Sequence, residues 1–262
     1  MNLAHITEEV VKLSIQVGEF IRTESRSFDS ERIEHKGKND LVSYVDKESE
    51  RRIVEGLKKI LPEAGFITEE NTVAEEEDKE LKWIIDPLDG TTNFIHGLPS
   101  YSTSIALAKG EVLLVGVVFD INHYDCFHAY LGGGAYCNDK KIEISKARTI
   151  SESLIATGFP YTNFDKMDAY LAALKDLMKE SHGLRRMGSA AVDLVYTAMG
   201  RYEGFFEYDL KPYDVAAGAL IVQEAGGTVT NFSGGKDFLF KREIVAAGHI
   251  HAEFLDVIKK YW

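Results

Sequence analysis

The stretch WIIDPLDGTTNF, Trp83 to Phe94, decides how this chain is read. Trp83-Ile84-Ile85 is a short apolar run of the kind that forms a buried strand. Asp86 then leaves the strand, and Pro87-Leu88-Asp89-Gly90 is expected to turn the chain. Such a turn aims two carboxylates and a backbone carbonyl at one point. An all-oxygen donor set of this kind suits Mg²⁺, Ca²⁺ or Mn²⁺ better than Zn²⁺. The N–H groups of Gly90, Thr91 and Thr92 are then available to an anion, more so if they open a helix. A strand followed by an acidic surface turn accounts for the D-P-x-D-G part alone. It does not account for the T-T-N-F run behind it.

Length and composition bound the rest. The chain has 262 residues, enough for one large domain or two small ones and for a sizeable core. Hydrophobic residues make up 45% and charged residues 27%, as in ordinary globular proteins. A formal net charge of −12 speaks against direct nucleic-acid binding. An anionic substrate would need bound cations or a local basic patch. Cys126 and Cys137 show no motif spacing, so a reducing, cytoplasmic setting is expected in place of a disulfide framework. Met1 to Lys12 carries acids where a signal peptide carries basic residues. The longest strongly apolar run, Leu113 to Phe119, is far short of the roughly 20 residues a membrane span needs. No membrane association is expected.

Ile6, Val10, Leu13, Val17, Phe20 and Ile21 fall at helical spacing, with Asn2 as N-cap. A polar, flexible stretch, Glu34 to Asp40, precedes a second helix from about Asp46 to Leu61, stopped by Pro62. Asp46 alone reads as a helix-capping acid. Gly65 to Thr68 is a strand ending in Glu69-Glu70, and Glu75 to Asp78 is a solvated acidic loop. Tyr101 to Ala108 and Val112 to Phe119 form a hairpin around Gly110-Glu111, and Cys126 to Leu131 adds a strand, an antiparallel meander behind two helices. From Leu154 onward strands and helices alternate. Leu154-Ile155-Ala156, Leu184 to Met187, Tyr202 to Glu207, Thr228 to Thr230 and Glu243 to Ala247 are the strands. Asp165 to Lys179 is a helix with Leu171, Leu174, Leu177 and Met178 turned inward. Ser189 caps the helix of Val192, Val195 and Met199; Asp214 to Glu224 and Ala252 to Tyr261 are the other two. The expected fold is α+β in residues 1–147 and α/β in 148–262, with the boundary near Ser145 to Ser151.

The Trp83–Phe94 stretch resembles the first signature of the inositol monophosphatase family of metal-dependent phosphatases, D-P-[hydrophobic]-D-G-T-[ST]-N-[hydrophobic]. Pro212 to Gly218, followed by Glu224-Ala225-Gly226-Gly227, resembles its second, with Tyr213 where a Trp is usual. Leu41 to Asp46 is similar to its D-L-V-T-x-x-D segment, Ile67 to Glu70 to its G-E-E segment with Thr68 in place of Gly, and Arg186 to Ala191 to its G-[ST]-A-A segment. Each piece is weak alone; their order along nearly the whole chain is specific.

The resemblance implies a layered αβαβα sandwich, N-terminal helices on an antiparallel sheet and a C-terminal half with a mixed sheet. It implies two to three Mg²⁺ ions. Glu69, Asp86 and the Leu88 carbonyl would hold one; Asp86, Asp89 and Asp214 a second; a third, weaker one would sit by Glu69. Glu69 would take the proton of a metal-activated water that Thr91 orients, and Asp46 would support Thr91 or the outer metal. Asp89, Gly90, Thr91, Thr92, Gly188, Ser189, Ala190, Glu207 and Asp214 would line the substrate, a small phosphorylated polyol. Gly90 and Thr91 N–H groups would face the phosphoryl oxygens, and Glu207 would accept from hydroxyls. Lys36, Arg185 and Arg186 are basic candidates near the phosphate. Inositol 1-phosphate is the expected ester; fructose 1,6-bisphosphate, 3′-phosphoadenosine 5′-phosphate and histidinol phosphate are the alternatives. Lithium sensitivity and a homodimer are further implications. The D-x-D-G-T opening of haloacid-dehalogenase phosphatases is the rival enzyme class, disfavoured because two residues, Pro87 and Leu88, separate the acids here. A transcription-associated protein-binding role is the non-enzymatic rival.

Overall fold

Helix α1 (Leu3–Glu24) begins at Asn2, whose side chain accepts from His5 N–H, the cap expected of that residue. The computed structural model describes residues 1–28, 33–35, 41–74 and 78–262, so Lys36 and three members of the acidic run, Glu75 to Glu77, lie outside the described residues. Strands β1 (Ile33–His35) and β2 (Leu41–Ser43) pair antiparallel, a ribbon that the polar reading of this stretch did not foresee. Helix α2 (Tyr44–Ile60) follows. Then come β3 (Gly65–Thr68), β4 (Leu81–Asp89), α3 (Thr91–Ile95), β5 (Ser102–Lys109), β6 (Val112–Asp120), β7 (Asp125–Tyr130), β8 (Ala135–Cys137) and β9 (Lys140–Ile142). The second half runs β10 (Leu154–Thr157), α4 (Met167–Glu180), β11 (Gly183–Arg185), α5 (Ala190–Ala198), β12 (Gly204–Tyr208), α6 (Pro212–Glu224), β13 (Thr228–Thr230), α7 (Phe238–Lys241), β14 (Glu243–Ala247) and α8 (His251–Lys259).

Two sheets organise these elements. The first has seven strands in chain order, β3 to β9, antiparallel throughout except for the parallel pair β3–β4. The second has five strands in the order β11-β10-β12-β14-β13, parallel on one side and antiparallel on the other. Alternation along the strands sorts side chains into three cores. Trp83, Ile85, Ile105 and Val117 face α1 and α2. Ile84, Ala106 and Val118 face the opposite way, onto α5 and α6. Phe205 shares that middle core from the second sheet, while its neighbour Phe206 packs outward on α4 and α8. The result is the expected five-layer αβαβα sandwich.

The middle layer explains the composition of α5 and α6. Every residue from Ala190 to Ala198 is buried, and so is every residue from Val215 to Val222. A helix apolar all round belongs between two layers. Small residues let the layers close: a Cβ on Gly116 of β6 would stand 2.7 Å from the Ala217 carbonyl. Because this core draws on both sheets, we propose residues 1–147 and 148–262 as units of organisation, not of separate stability.

One helix face differs from expectation. In α4 the buried stripe is Tyr170, Ala173, Leu174 and Leu177, while Leu171 is 49% and Met178 59% exposed. Tyr170 wins the inward place because its ring packs tilted against Phe206 and edge-on to Tyr208 and its hydroxyl reaches the Phe206 carbonyl at 3.1 Å. That rotates the helix one residue away from the leucine stripe. Among the described residues no helix is long and apolar enough to cross a membrane.

Candidate active site

The turn expected at Pro87 is instead part of β4. The strand runs on to Asp89, with Asp86 opposite Ser104 and Asp89 opposite Ser102, so one extra residue bulges out of the ladder. Proline is tolerated at such a position because it has no N–H to place. The bulge matters chemically. Residues three apart on a regular strand point to opposite faces; the extra residue brings both carboxylates to one cavity. Gly90 then turns the chain at φ 94°, where a Cβ would stand 2.8 Å from the Ser100 carbonyl. Thr91 opens the five-residue helix α3, the setting that the anion-facing reading of these residues favoured.

Neighbouring elements complete the acid wall. Strand β3 runs parallel to β4 with Thr68 beside Ile85, so Glu69 emerges next to Asp86, and the two side chains hydrogen-bond. Asp214 lies in the first turn of α6, where its Oδ2 accepts from Lys211 N–H at 2.6 Å. Asp89 Oδ2 accepts from Ser189 Oγ at 2.6 Å and Ala191 N–H at 2.7 Å, and Asp86 Oδ1 accepts from Leu88 N–H at 3.0 Å. Glu69, Asp86, Leu88, Asp89, Gly90, Thr91, Thr92 and Asp214 all line this cavity. Asp46 stands behind it, fully buried. Its Oδ2 completes a capping box with Ser43, and its Oδ1 accepts from Thr91 Oγ1 at 2.7 Å. Asp46 thus caps α2 as read and also holds the Thr91 hydroxyl.

Burial and mutual repulsion dominate the electrostatics. Burial, then the charges of Glu69, Asp89 and Asp214, push the Asp86 carboxyl well above the usual range. Burial raises Asp89 to about 6 against the opposing hydrogen bonds from Ser189 and Ala191. Burial and the charge of Asp89 raise Asp214 to about 7. Among the described residues, no three His, Cys, Asp or Glu side chains are drawn together as a closed set of metal ligands. The acids share one wall: Asp86, Asp89 and Asp214 each accept from a donor of the protein, and Glu69 hydrogen-bonds Asp86. The donor set itself, carboxylates plus a carbonyl, fits a hard divalent cation.

The facing wall comes from the second sheet and its connections. Gly188, Ser189, Ala190 and Glu207 line it, as the sequence suggested. Ser189 is already engaged: it caps α5 through Val192 N–H and holds Asp89. The basic candidates separate. Arg186 lines the cavity and donates to Tyr161 Oη at 2.8 Å, whereas Arg185 is exposed and donates to the Leu184 carbonyl. Tyr213, which stands where a Trp is usual in the second motif, also lines the cavity. Phe159, Tyr161, Asp193, Asp209 and Arg242 also line the cavity and had not been anticipated. Asp193 had one sequence cue, an acid inside an otherwise apolar helix. It is 1% exposed, and burial with the nearby Asp89 charge raises its carboxyl well above the usual range. Burial and Asp193 do the same to Glu207.

The model of the inositol monophosphatase family matches residues 2–262 of the chain. The chain belongs to the inositol monophosphatase family. Within that family it is 36% identical over 252 residues to the inositol-1-monophosphatase of Mesorhizobium japonicum, covering 96% of this chain and 95% of the relative. It is 44% identical over 225 residues to the Nus factor SuhB of Haemophilus influenzae, covering 86% of this chain and 84% of the relative. In three dimensions the extragenic suppressor protein suhB of Bartonella henselae superposes with a TM-score of 0.91 at 36% identity, covering 98% of this chain and 99% of that one. Membership of the inositol monophosphatase family supports a phosphatase.

Proposed function

We propose that the chain is a magnesium-dependent phosphatase that hydrolyses a small phosphate monoester, with inositol 1-phosphate as its substrate. One observation carries the reading: Glu69, Asp86, Leu88, Asp89 and Asp214 line one cavity, where burial raises the Asp86, Asp89 and Asp214 carboxyls. Such a wall lacks positive charge, and a phosphate ester would be repelled without it. Glu69, Asp86 and the Leu88 carbonyl would hold one Mg²⁺, Asp86, Asp89 and Asp214 a second, and Glu69 a weaker third. Magnesium there would neutralise phosphoryl oxygens and lower the pKa of water.

The chain's own groups supply the rest. Thr91 gives its hydroxyl hydrogen to Asp46 at 2.7 Å, which leaves the oxygen free to accept from the attacking water. That orientation directs the water's other proton to Glu69. The N–H groups of Gly90, Thr91 and Thr92, at the start of α3, face phosphoryl oxygens. Gly188 to Ala190 and Glu207 then meet the alcohol, with Glu207 accepting from hydroxyls. We propose further that the protein works as a homodimer in the cytoplasm.

Turnover of inositol 1-phosphate, fructose 1,6-bisphosphate, 3′-phosphoadenosine 5′-phosphate and histidinol phosphate, each with Mg²⁺ and with or without Li⁺, tests this. Inositol 1-phosphate should be the fastest. No turnover of any ester removes the phosphatase reading, and preference for another ester moves the substrate.

A second reading rests on the relative named Nus factor SuhB. A role through a protein partner is compatible with an acidic chain and would survive loss of the site acids. Pull-down with the native chain and with Asp89→Asn separates the two: capture that is lost in the variant ties partner binding to the catalytic site.

A further inference from the structure

We infer that Glu50 is a positioning residue that sets the Glu69 side of the acid wall, an inference that rests on the metal-dependent reading above. Glu50 lies one helical turn after Asp46, on the same buried face of α2. It is 0% exposed, so it cannot touch a substrate. Its Oε2 accepts from Glu70 N–H at 2.7 Å, and its Oε1 accepts from both Thr72 N–H and Thr72 Oγ1 at 2.7 Å. All three donors belong to the short segment that carries Glu69 out of β3. That segment contains Asn71 at φ 53°, a left-handed conformation that costs a non-glycine residue energy unless its surroundings hold it. Glu69 itself donates its N–H to the Ile85 carbonyl at 3.2 Å. The backbone around Glu69 is therefore pinned on one side by β4 and on the other by Glu50.

The arrangement parallels that of Asp46, which holds Thr91 from behind. One buried face of α2 thus fixes both loops of the acid wall, Asp46 the one after β4 and Glu50 the one after β3. Partners that orient metal ligands commonly change metal affinity 10–100-fold when removed.

Glu50→Gln tests the inference. An amide keeps one acceptor oxygen but turns an NH₂ toward one of the backbone N–H donors. Mg²⁺ binding measured by calorimetry should weaken roughly 10- to 100-fold, with a smaller Mg²⁺-induced rise in Tm, while kcat at saturating Mg²⁺ stays within a few-fold. Ile53→Val, in the core face of the same helix, should lower Tm and leave Mg²⁺ affinity unchanged. If Glu50→Gln does not fold, Thr72→Val removes one donor and should weaken Mg²⁺ binding in the same direction by less. A folded variant of Glu50 or Thr72 with native Mg²⁺ affinity overturns the inference, as does an equal loss in Ile53→Val. A native chain that binds no Mg²⁺ overturns the functional reading instead.

Discussion

The two walls of the cavity are built on different plans. The wall from the first sheet is acidic; Asp46 holds Thr91 and Glu50 holds the segment after Glu69, both from behind, while Ser189 and Ala191 hold Asp89 from the facing side. The wall from the second sheet mixes charges and rings. Phe159 and Tyr161 are partly exposed, Arg186 reaches across to Tyr161, and Glu207 packs so closely on Gly158 that a Cβ there would stand 2.0 Å from its carboxylate. Groups that gather charge need fixed positions, since repulsion would otherwise scatter them. Groups that meet an alcohol need shape and a few hydrogen bonds. On the proposed function, the first wall would govern whether chemistry occurs and the second would govern on what.

The sharpest break is Asp89→Asn. The amide keeps the shape and can still accept one hydrogen bond, but it removes the charge shared by both proposed magnesium positions. Phosphate release should fall by more than the roughly 100-fold expected of a supporting partner, with far-UV circular dichroism unchanged. Full activity in this variant removes the two-ion assignment. The matching change on the other wall is Glu207→Gln. It should lower the preference for inositol 1-phosphate over a simple aryl phosphate about tenfold, near the 1.4 kcal/mol of a weakened charge-assisted hydrogen bond, and leave aryl phosphate turnover nearly intact. Equal loss on both esters would erase the division between the walls.

The smallest effect concerns stability. Asp89 and Asp214 sit at about 6 and about 7 in the fold, above the unfolded value of about 4. Between these values the folded chain binds more protons than the unfolded one, so stability is lost as pH rises through that window. Bound magnesium would offset the acids' charge in the same window. The Mg²⁺-induced rise in Tm should be a few degrees larger at pH 8 than at pH 5. An equal rise at both values would mean the acids are not where the ion acts.

Local signals were enough for much of the fold. Asn2 and Ser189 cap their helices, the hairpin turns at Gly110, and Gly226 ends α6 at φ 92°, because each depends on a residue's own conformational or hydrogen-bonding preference. In α4, Leu174 and Leu177 face inward as read, but Tyr170 and Ala173 complete the stripe in place of Leu171 and Met178, since Tyr170 gains partners that the second sheet supplies. Pro87 was legible as an interruption, but a turn and a bulge share that cue; pairing with β5 makes it a bulge.

The order of residues alone sets the chemistry available: which acids, glycines and hydroxyls exist, and how two motifs present them. Packing decided the rest: that a bulge and not a turn brings Asp86 and Asp89 together, that Glu50 and Asp46 both work from one helix, and that Arg186 and not Arg185 enters the cavity. Those outcomes depend on the registry between strands and on what packs behind a loop. No residue carries that information in its own side chain.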